Sequence, residues 1–198
     1  MPRAKPAAAA ASSPRLERAD WERAALHAIA DGGLDAAAVE PLARQLGVTK
    51  GSFYWHFANR DELIAAALAR WEQQYTDGVI AEIASIDDPR ARLVQLVTRG
   101  SLSASAAHFH AALAASAEHP LVRPVLARVT ARRLGYLVDC FRAVGVPPAE
   151  ARQRALLAYA AYVGLIHLER EAPDELPHGR ARARYIDHVV ASLLGPVP

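Results

Sequence analysis

The sequence has little cysteine and no long apolar segment, and both absences exclude whole classes of protein. Cys140 is the single cysteine among 198 residues, so a disulfide framework within the chain is impossible. One cysteine also suits the reducing cytosol. The apolar stretch Leu156 to Leu168 is shorter than the roughly 20 residues that a membrane-spanning helix needs. We therefore expect a cytoplasmic protein without a membrane partner.

The sequence also lacks the short motifs that usually accompany catalysis. Gly32-Gly33 stands alone, without the further glycines of a phosphate-binding loop, and neither Gly-x-Ser-x-Gly nor His-Glu-x-x-His occurs. Cys140 is better explained as a small buried apolar residue than as a nucleophile. An enzyme is therefore not expected, and no cofactor is predicted.

A metal sensor is the alternative raised by the histidines of the C-terminal part. His108, His110, His119 and His167 share this part of the chain. His108 and His110 are two residues apart, however, and diverge by about 200° on a helix, so they do not form a ligand pair. No cysteine cluster accompanies them. The sequence therefore predicts no metal site.

Neither sign of charge is in large excess, since the formal net charge is only +2. The small excess lies at one end. Residues 1–60 contain eight Lys or Arg and six Asp or Glu, whereas the remaining residues contain fifteen of each sign. This asymmetry points weakly to nucleic acid at the N-terminal end.

Sustained alternation of apolar and polar residues is absent, so a sheet is not expected, and helical periodicity takes its place. One helix is predicted to begin at Asn59, because Glu62 follows at capping-box spacing. Its apolar stripe of Ile64, Leu68 and Trp71 recurs at helical intervals. Similar stripes separated by Pro and Gly breaks predict an all-α chain of about nine helices.

The most informative segment is Val39 to Phe57, which predicts two short helices joined by a tight turn. Gly47 provides the positive φ that closes the first helix, and the hydroxyl of Thr49 is placed to cap the second. Phe53 and Phe57 are four residues apart and should anchor the second helix to the core. This pattern is typical of a helix-turn-helix, whose second helix enters the major groove.

The other side chains of that second helix cannot all be buried. Lys50 and Tyr54 share a different face from the two phenylalanines, and Trp55 and His56 flank them. Some of these tips should meet phosphates or base edges. Gly51 permits close approach of the DNA backbone, and Arg60 begins a helix whose positive end favours a phosphate.

The block Gly47 to Phe57, followed by Asn59-Arg60-Asp61-Glu62-Leu63, resembles the signature of TetR-type bacterial transcriptional regulators. The resemblance covers about residues 15 to 70. It implies an all-α homodimer in which the third helix enters the major groove and the last two helices pair with their symmetry mates. The residues predicted to contact DNA are Thr49, Lys50, Gly51, Ser52, Tyr54, Trp55, His56 and Arg60.

One departure from the family pattern concerns the start of the second helix. Many relatives have Thr or Ser there as a cap and phosphate contact, whereas this chain has Ala37 and Ala38. Asp35 is the alternative cap, and Pro41 is acceptable in a first turn. One expected phosphate contact is therefore missing.

Three regions are predicted along the chain. Residues 1–14 form a disordered N-terminal arm, 15–60 the helix-turn-helix DNA-binding domain, and 61–198 an effector-binding and dimerisation domain. Arg3, Lys5 and Arg15 either reach a neighbouring groove or belong to a solvated tail, and the tail is the simpler explanation.

Small and apolar residues on the last two long helices suggest half of a four-helix dimer interface, although both faces could instead pack within one subunit. The predicted interface consists of Leu156, Ala160, Val163, Gly164, Ile186, Val189, Val190 and Leu193. A ligand pocket would be lined by the remaining aromatic and polar residues, which would equally suit an ordinary core. These are Trp71, Tyr75, His108, Phe109, His110, Tyr136, Cys140, Phe141, Tyr159, Tyr162 and His167.

The expected partners are a double-stranded DNA operator, a small-molecule effector and a second copy of the chain. The resemblance implies a repressor that a ligand releases from a palindromic operator by shifting the population of its conformations. A purely architectural DNA-binding protein is a weaker alternative, because a small module would suffice for that role.

Overall fold

The computed structural model describes residues 16–102 and 104–195, with backbone alone at 101, 102 and 104. The predicted N-terminal arm, residues 1–14, and Arg15 lie outside the described residues. The helices are α1 (Arg18–Gly32), α2 (Val39–Gln45), α3 (Lys50–Phe53), α4 (Arg60–Glu72), α5 (Gly78–Ala84), α6 (Pro89–Leu102), α7 (Ala104–Ala114), α8 (Arg123–Ala143), α9 (Pro148–Glu171) and α10 (Gly179–Leu194). Short 3₁₀ turns occupy Leu34–Ala36 and Pro173–Glu175.

The prediction of an all-α fold is confirmed, since no strand occurs in the described ranges. A five-residue π-turn, Gln73–Asp77, joins α4 to α5 without a break. Counted with that turn as one continuous helix, the described residues contain nine α-helices, as the periodicity predicts. None of these helices is both long and apolar enough to cross a bilayer.

Polar side chains next to the first turn cap the N-termini of two of these helices. The backbone N–H of Glu62 donates to Asn59 Oδ1 at 2.9 Å, which confirms the predicted cap of α4. The Glu62 carboxylate accepts from the N–H of Ala58 at 2.8 Å rather than from Asn59 itself. At α6, Asp88 accepts from the N–H groups of Arg90 and Ala91, both at 3.1 Å. Each such cap contributes about 0.5–2 kcal/mol.

The N-terminal helices pack around aromatic side chains. Phe53 and Phe57 are buried and stack on each other with ring centroids 5.6 Å apart, which confirms them as the predicted anchors. The Trp21 ring of α1 meets Phe53 edge-on at 5.4 Å. Because all three rings are enclosed, α3 is held rigidly on α1 and α4.

The same hydrophobic core continues into the C-terminal helices. Phe109 and Leu113 of α7, and Val122 and Val129 near the start of α8, belong to one cluster with the core of α1 and α4. The predicted boundary between 60 and 61 therefore falls within continuous packing, and as a division of function it stays a prediction.

A second cluster lies between α6, α8, α9 and α10. It includes Leu93, Phe141, Ala155 and Leu193. Small residues on α9, such as Ala151 and Ala155, are fully buried and let α8 approach closely. The two clusters leave a cavity between them, which is described below.

Candidate DNA-binding surface and ligand cavity

The turn between α2 and α3 has the predicted geometry. Gly47 adopts φ 70°, a conformation that residues with a Cβ rarely accept. The N–H of Val48 then donates to the carbonyl of Ala43 at 2.9 Å, which closes α2. Leu46 and Val48 pack against the core. The turn is thereby fixed, and α3 follows it at a defined angle.

The second helix of the motif is shorter than the sequence predicts. Regular α-helix ends at Phe53, and residues 54–56 continue as a turn in which His56 N–H donates to Phe53 O at 2.9 Å. Thr49 has the extended conformation of an N-cap residue, but its hydroxyl makes no capping hydrogen bond. The expectation that Thr49 caps through its hydroxyl is therefore wrong.

Asp35 does not cap α2 either. The N-cap position belongs to Ala38, which has no side chain able to accept a hydrogen bond. Asp35 lies in the preceding 3₁₀ turn, and its carboxylate is 3.5 Å from the guanidinium of Arg60. The first N–H groups of α2 are consequently left without a side-chain cap.

The residues predicted to contact DNA form an exposed segment. Trp55 is 88% exposed and Tyr54 is 58% exposed, which is unusual for large aromatic side chains. Thr49, Lys50 and Gly51 are exposed as well, whereas Ser52 and His56 are half-buried. Seven of the eight predicted residues thus lie in one contiguous segment, Thr49–His56, beside the buried Phe53.

Lys50 is held by a carboxylate in this structure. Its Nζ lies 2.7 Å from Glu40 Oε1, and both side chains are exposed. The hydrogen bond and charge of Lys50 lower the pKa of Glu40, and Glu40 in turn raises the pKa of Lys50. Glu40 therefore competes with any phosphate for the same ammonium group, which residue types alone do not reveal.

Arg60 is directed toward the protein backbone instead of standing free for phosphate. Its Nε donates to the carbonyl of Ala37 at 3.0 Å, and its Nη2 donates to the carbonyl of Leu34. These carbonyls belong to the segment that leads into α2. Arg60 therefore positions the start of the helix-turn-helix, and its contact with a phosphate stays a prediction.

Sequence reasoning missed Arg18, whose side chain binds the C-terminal end of the helix-turn-helix at His56 and Phe57. Arg18 Nη1 donates to the carbonyl of His56 at 2.6 Å, and its guanidinium lies 4.2 Å from the centre of the Phe57 ring. The same guanidinium is 3.1 Å from Glu62. No pattern in the sequence connects residues that are 38 positions apart, so no local feature identifies this role.

A cavity of about 250 Å³ opens between the π-turn, α5, α6, α7, α8, α9 and α10. Four predicted pocket residues line it, namely Tyr75, Tyr136, Tyr159 and Tyr162. Most of the remaining wall is aliphatic, from residues such as Val79, Ile80, Leu96, Leu137, Leu165 and Val189. Apolar walls with a few polar groups are typical of small-molecule sites.

The other predicted pocket residues do not line this cavity. Trp71, Phe109, Cys140 and Phe141 are buried in the two hydrophobic clusters and serve as core. His108 and His167 are exposed beside carboxylates, at 3.0 Å from Asp31 and 3.2 Å from Glu171. These six assignments are wrong because periodicity does not distinguish a cavity wall from a core or an exposed face.

His110 is buried behind the cavity wall rather than in it. Its ring lies 5.8 Å from Tyr162 and 6.3 Å from Trp71, and its Nδ1 has no hydrogen-bond partner. Burial, together with the nearby Arg133 charge, lowers the pKa of His110 to about 4. The imidazole is therefore neutral at physiological pH.

Arg133 is the cavity residue that sequence reasoning missed. Its Nε donates to Thr76 Oγ1 and its Nη2 to the carbonyl of Tyr75, both at 3.0 Å. A clue was present, since Arg133 lies four residues from Val129 and from Leu137 on an otherwise apolar stripe. A charged residue on such a stripe indicates a polar function or a buried pair.

The tyrosines of the wall stay protonated. Burial raises the pKa of Tyr75, Tyr136 and Tyr162 above the usual value. Their hydroxyl groups are consequently neutral and can donate as well as accept hydrogen bonds. The Tyr159 hydroxyl lies 3.2 Å from Thr130 Oγ1.

Comparison with known proteins identifies the family. Residues 23–67 match the family described as bacterial regulatory proteins, tetR family. The HTH-type transcriptional regulator BetI 2 of Chromohalobacter salexigens is 31% identical over 180 residues, covering 87% of this chain and 86% of that protein. The chain belongs to the TetR family. It is an HTH-type transcriptional regulator, as the helix-turn-helix segment predicts.

Solved structures of low identity share the all-α fold of this TetR-family chain. A transcriptional regulator from Saccharomonospora viridis, determined in complex with choline, is 20% identical with a TM-score of 0.71, over 89% of this chain and 92% of its own. FadR from Bacillus subtilis, determined in complex with stearoyl-CoA, is 14% identical with a TM-score of 0.65, over 92% of this chain and 100% of its own.

The predicted dimer residues of this TetR-family chain divide into two groups. Leu156 and Ala160 on α9 are exposed, and Val163, Gly164, Val189 and Val190 are half-buried, with Val189 also lining the cavity. Ile186 and Leu193 are buried within the protomer, so their assignment to the interface is wrong. Two further exposed leucines of α9, Leu157 and Leu168, were not predicted.

The described residues of this regulator offer no cluster of ligands for a metal. No group of three or more His, Cys, Asp or Glu side chains with suitable placement occurs in 16–102 or 104–195.

Proposed function

We propose that this TetR-family regulator is a homodimeric repressor that a small molecule, bound in the cavity, releases from a palindromic operator. The observation that carries the proposal is the continuous hydrophobic core linking the exposed segment Thr49–His56 to the helices that enclose the cavity. A ligand that changes the cavity wall therefore acts on the same packed unit that presents α3.

On DNA, the exposed segment would enter the major groove, with a division of roles among its side chains. Lys50 would neutralise a phosphate and so act on every sequence alike. Ser52, Tyr54 and Trp55 would meet base edges, while Thr49, Gly51 and His56 border the DNA backbone. Arg60 has a structural part in this scheme, because its guanidinium is occupied by carbonyl groups.

Coupling between ligand and DNA would pass through α7 and α1. The cavity residue Tyr75 lies 5.2 Å from Phe109 of α7, and Phe109 lies 5.4 Å from His27 of α1. Since α1 holds Phe53 through Trp21, movement of α7 is transmitted to α3. By linkage, a ligand preferring one arrangement of this chain of contacts lowers operator affinity.

Dimerisation would use the outer face of α9 together with α10. Leu156 and Leu157 are 59% and 60% exposed, and Leu168 is 44% exposed, so α9 presents apolar surface to solvent in the isolated protomer. Ala160 and Gly164 on α9 would let a second helix approach closely. A two-fold dimer presents two copies of α3 to half-sites about 34 Å apart, which matches a palindromic operator.

In this proposal residues 15–60 bind DNA, residues 61–198 bind ligand and partner, and the N-terminal arm has no assigned contact. The protein acts in the cytoplasm, where the operator is, and has no enzymatic role. The solved neighbours bind ligands as different as choline and stearoyl-CoA, so the ligand of this chain has to be argued from its own cavity.

The test is selection of the purified full chain on a random DNA duplex library, followed by binding of the selected sequence at several salt concentrations. We expect a palindromic sequence, bound by one dimer, with an affinity that falls steeply as salt rises. Failure to enrich any sequence over random DNA would contradict the operator, and a selected single half-site bound by a monomer would contradict the dimer.

A further inference from the structure

We propose that the cavity binds a small organic monoanion, a carboxylate with an apolar or aromatic body, and that Arg133 selects its charge. This inference rests on the proposed ligand-responsive function and specifies the chemical class of the ligand. Its starting observation is a cation in the cavity wall that no carboxylate neutralises.

Arg133 is one of two arginines among the described residues that line the cavity, and that lining contains no Asp or Glu. The second, Arg99, forms an ion pair with Glu82. No described carboxylate lies within 4.0 Å of the Arg133 guanidinium. An uncompensated positive charge therefore remains on one side of an otherwise apolar cavity, where the low dielectric strengthens its attraction for an anion.

The immediate surroundings of Arg133 stabilise the cation only in part. Its guanidinium carbon is 5.5 Å from the centre of the Trp71 ring and 5.9 Å from that of Tyr162, within cation–π range. Two of its nitrogens donate to Thr76 and to the carbonyl of Tyr75, the third, Nη1, is buried without a close acceptor, and the neutral hydroxyl of Tyr162 also lies near the guanidinium. A buried donor without an acceptor is costly, so a ligand that supplies one binds favourably.

Donors of Arg133 and Tyr136 are the polar groups that a carboxylate would use in this cavity. A guanidinium has five N–H groups, and the hydrogen bonds to Thr76 and to the carbonyl of Tyr75 leave three of them, two on Nη1 and one on Nη2. The hydroxyl of Tyr136, also in the wall, is buried with no partner except the weakly accepting sulfur of Cys140. Nη1 and this hydroxyl are both covered in the empty cavity, so they reach the two oxygens of a carboxylate once the side chains of Arg133 and Tyr136 turn toward the ligand.

The size and lining of the cavity define the rest of the ligand. A volume of about 250 Å³ lies just below the usual range of small-molecule sites, about 300–1,000 Å³. Such a volume suits a body of the size of a phenyl ring or a short alkyl chain. Tyr75, Tyr159 and Tyr162 provide aromatic surface for it.

The opposite class, a quaternary ammonium, is the main rival. Several tyrosines around a cavity can form an aromatic cage for such a cation. Here the cage contains Arg133, and no carboxylate is present in the described wall to offset its charge. Two like charges in a low-dielectric cavity repel each other, so we expect cations to be excluded.

The experiment uses two series of probes that share a body and differ in charge. The first series is phenylacetate, phenylacetamide and benzyltrimethylammonium, and the second is hexanoate, hexanamide and pentyltrimethylammonium. Binding to the full-length dimer is measured by isothermal titration calorimetry at neutral pH. We expect at least one carboxylate to bind about tenfold or more tightly than its amide, and both ammonium ions to bind more weakly than the amides.

Substitutions locate the source of the preference. Arg133→Gln should remove the advantage of carboxylate over amide, while Arg133→Lys, which retains the charge, should keep most of it. The matched control is Arg132→Gln. Arg132 directly precedes Arg133 on α8, and its guanidinium forms an ion pair with the exposed Asp77 at 3.5 Å. This control should bind the probes as the unaltered chain does.

The wild-type series decides the proposal even if Arg133→Gln fails to fold. Equal binding of every carboxylate and its amide, no binding by any carboxylate, or preference for an ammonium ion would each overturn it. If an operator is selected but only ammonium ions release it, the repressor function stands and the ligand class is wrong. If carboxylates bind through Arg133 but no operator is selected, the ligand class stands and the repressor function is wrong.

Discussion

Two charged residues near the DNA-binding segment show how a neighbour alters the role of a side chain. Lys50 and Arg60 look equivalent in the sequence, as two cations at the starts of consecutive helices. In the structure Lys50 meets an exposed carboxylate, and Arg60 meets backbone carbonyls. Different consequences of substitution follow for the two residues.

Glu40→Gln should increase affinity for all DNA sequences alike, by roughly two- to fivefold at low salt. The substitution removes the carboxylate that holds Lys50 at 2.7 Å, and it removes a negative charge close to the phosphates. Binding to the selected operator and to random duplex, each titrated with salt, measures the effect. Glu175→Gln, the same change in the 3₁₀ turn Pro173–Glu175, is the control and should change neither affinity.

Arg60→Ala and Lys50→Ala should differ in kind. Lys50→Ala should reduce the salt dependence of binding by about one unit of slope and leave stability nearly unchanged. Arg60→Ala should lower the free energy of unfolding by about 1–3 kcal/mol, because the carbonyl of Ala37 loses the Arg60 donor and that of Leu34 loses one of its two donors. Denaturant unfolding and salt-titrated binding of both variants test this, and an equal loss of slope without loss of stability would contradict the role given to Arg60.

At the scale of single elements, the π-turn and α7 determine what the cavity wall contains. The π-turn Gln73–Asp77 inserts an extra residue into an otherwise regular helix and brings the carbonyl of Tyr75 and the hydroxyl of Thr76 to Arg133. Helix α7 has one face toward α1 and another toward the cavity, through Phe109 and Ala106. Both elements therefore belong to the proposed path between ligand and DNA.

The buried His110 of α7 should make stability depend on pH. Its pKa is about 4 in the folded chain and about 6.5 when unfolded, so only the unfolded chain takes up a proton between these values. Its contribution is complete above pH 6.5 and is lost as pH falls toward 4, in total about 3 kcal/mol. Unfolding measured across this range should show a smaller decrease for His110→Gln.

His167→Gln is the control for that measurement. His167 is exposed on α9 beside Glu171, so its replacement should leave the pH dependence close to that of the unaltered chain. Parallel curves for wild type and His110→Gln between pH 6.5 and 4 would show that another group titrates in place of His110.

At the scale of the whole molecule, the outer face of α9 leaves three leucines exposed in an isolated protomer, Leu156, Leu157 and Leu168. Leu156→Glu combined with Leu157→Glu should convert the proposed dimer into monomers, because two charges would be buried in an apolar interface without partners. Operator affinity should fall with it, since two half-sites can no longer be bound together.

Sedimentation at several protein concentrations, compared with far-ultraviolet circular dichroism, separates dissociation from unfolding. Ala84→Glu, at the exposed end of α5, introduces a charge elsewhere on the surface and should remain dimeric. A double variant that stays dimeric and binds the operator normally would place the interface on another face.

Much of the fold was predictable from the sequence because it depends on neighbours a few residues apart. The helical periodicity, the cap at Asn59, the turn at Gly47 and the anchors Phe53 and Phe57 all follow from spacings of three or four residues. The exposed segment of α3 follows from the same reasoning, since a short helix cannot bury so many side chains. Local spacing also supports the family resemblance, which agrees with the relatives found.

Only the tertiary structure determined which polar groups meet and which apolar faces are enclosed. Apart from Glu22, which lies four positions from Arg18, the hydrogen-bond and ion-pair partners named above for Lys50, Arg18, Arg60 and Arg133 lie 10 to 58 positions away in the sequence. The choice of Ile186 and Leu193 as interface was wrong because periodicity shows that one face of α10 is apolar, but not whether that face packs within the protomer or against a partner. Contacts between distant segments depend on how whole helices pack, and no spacing within a single helix records that packing.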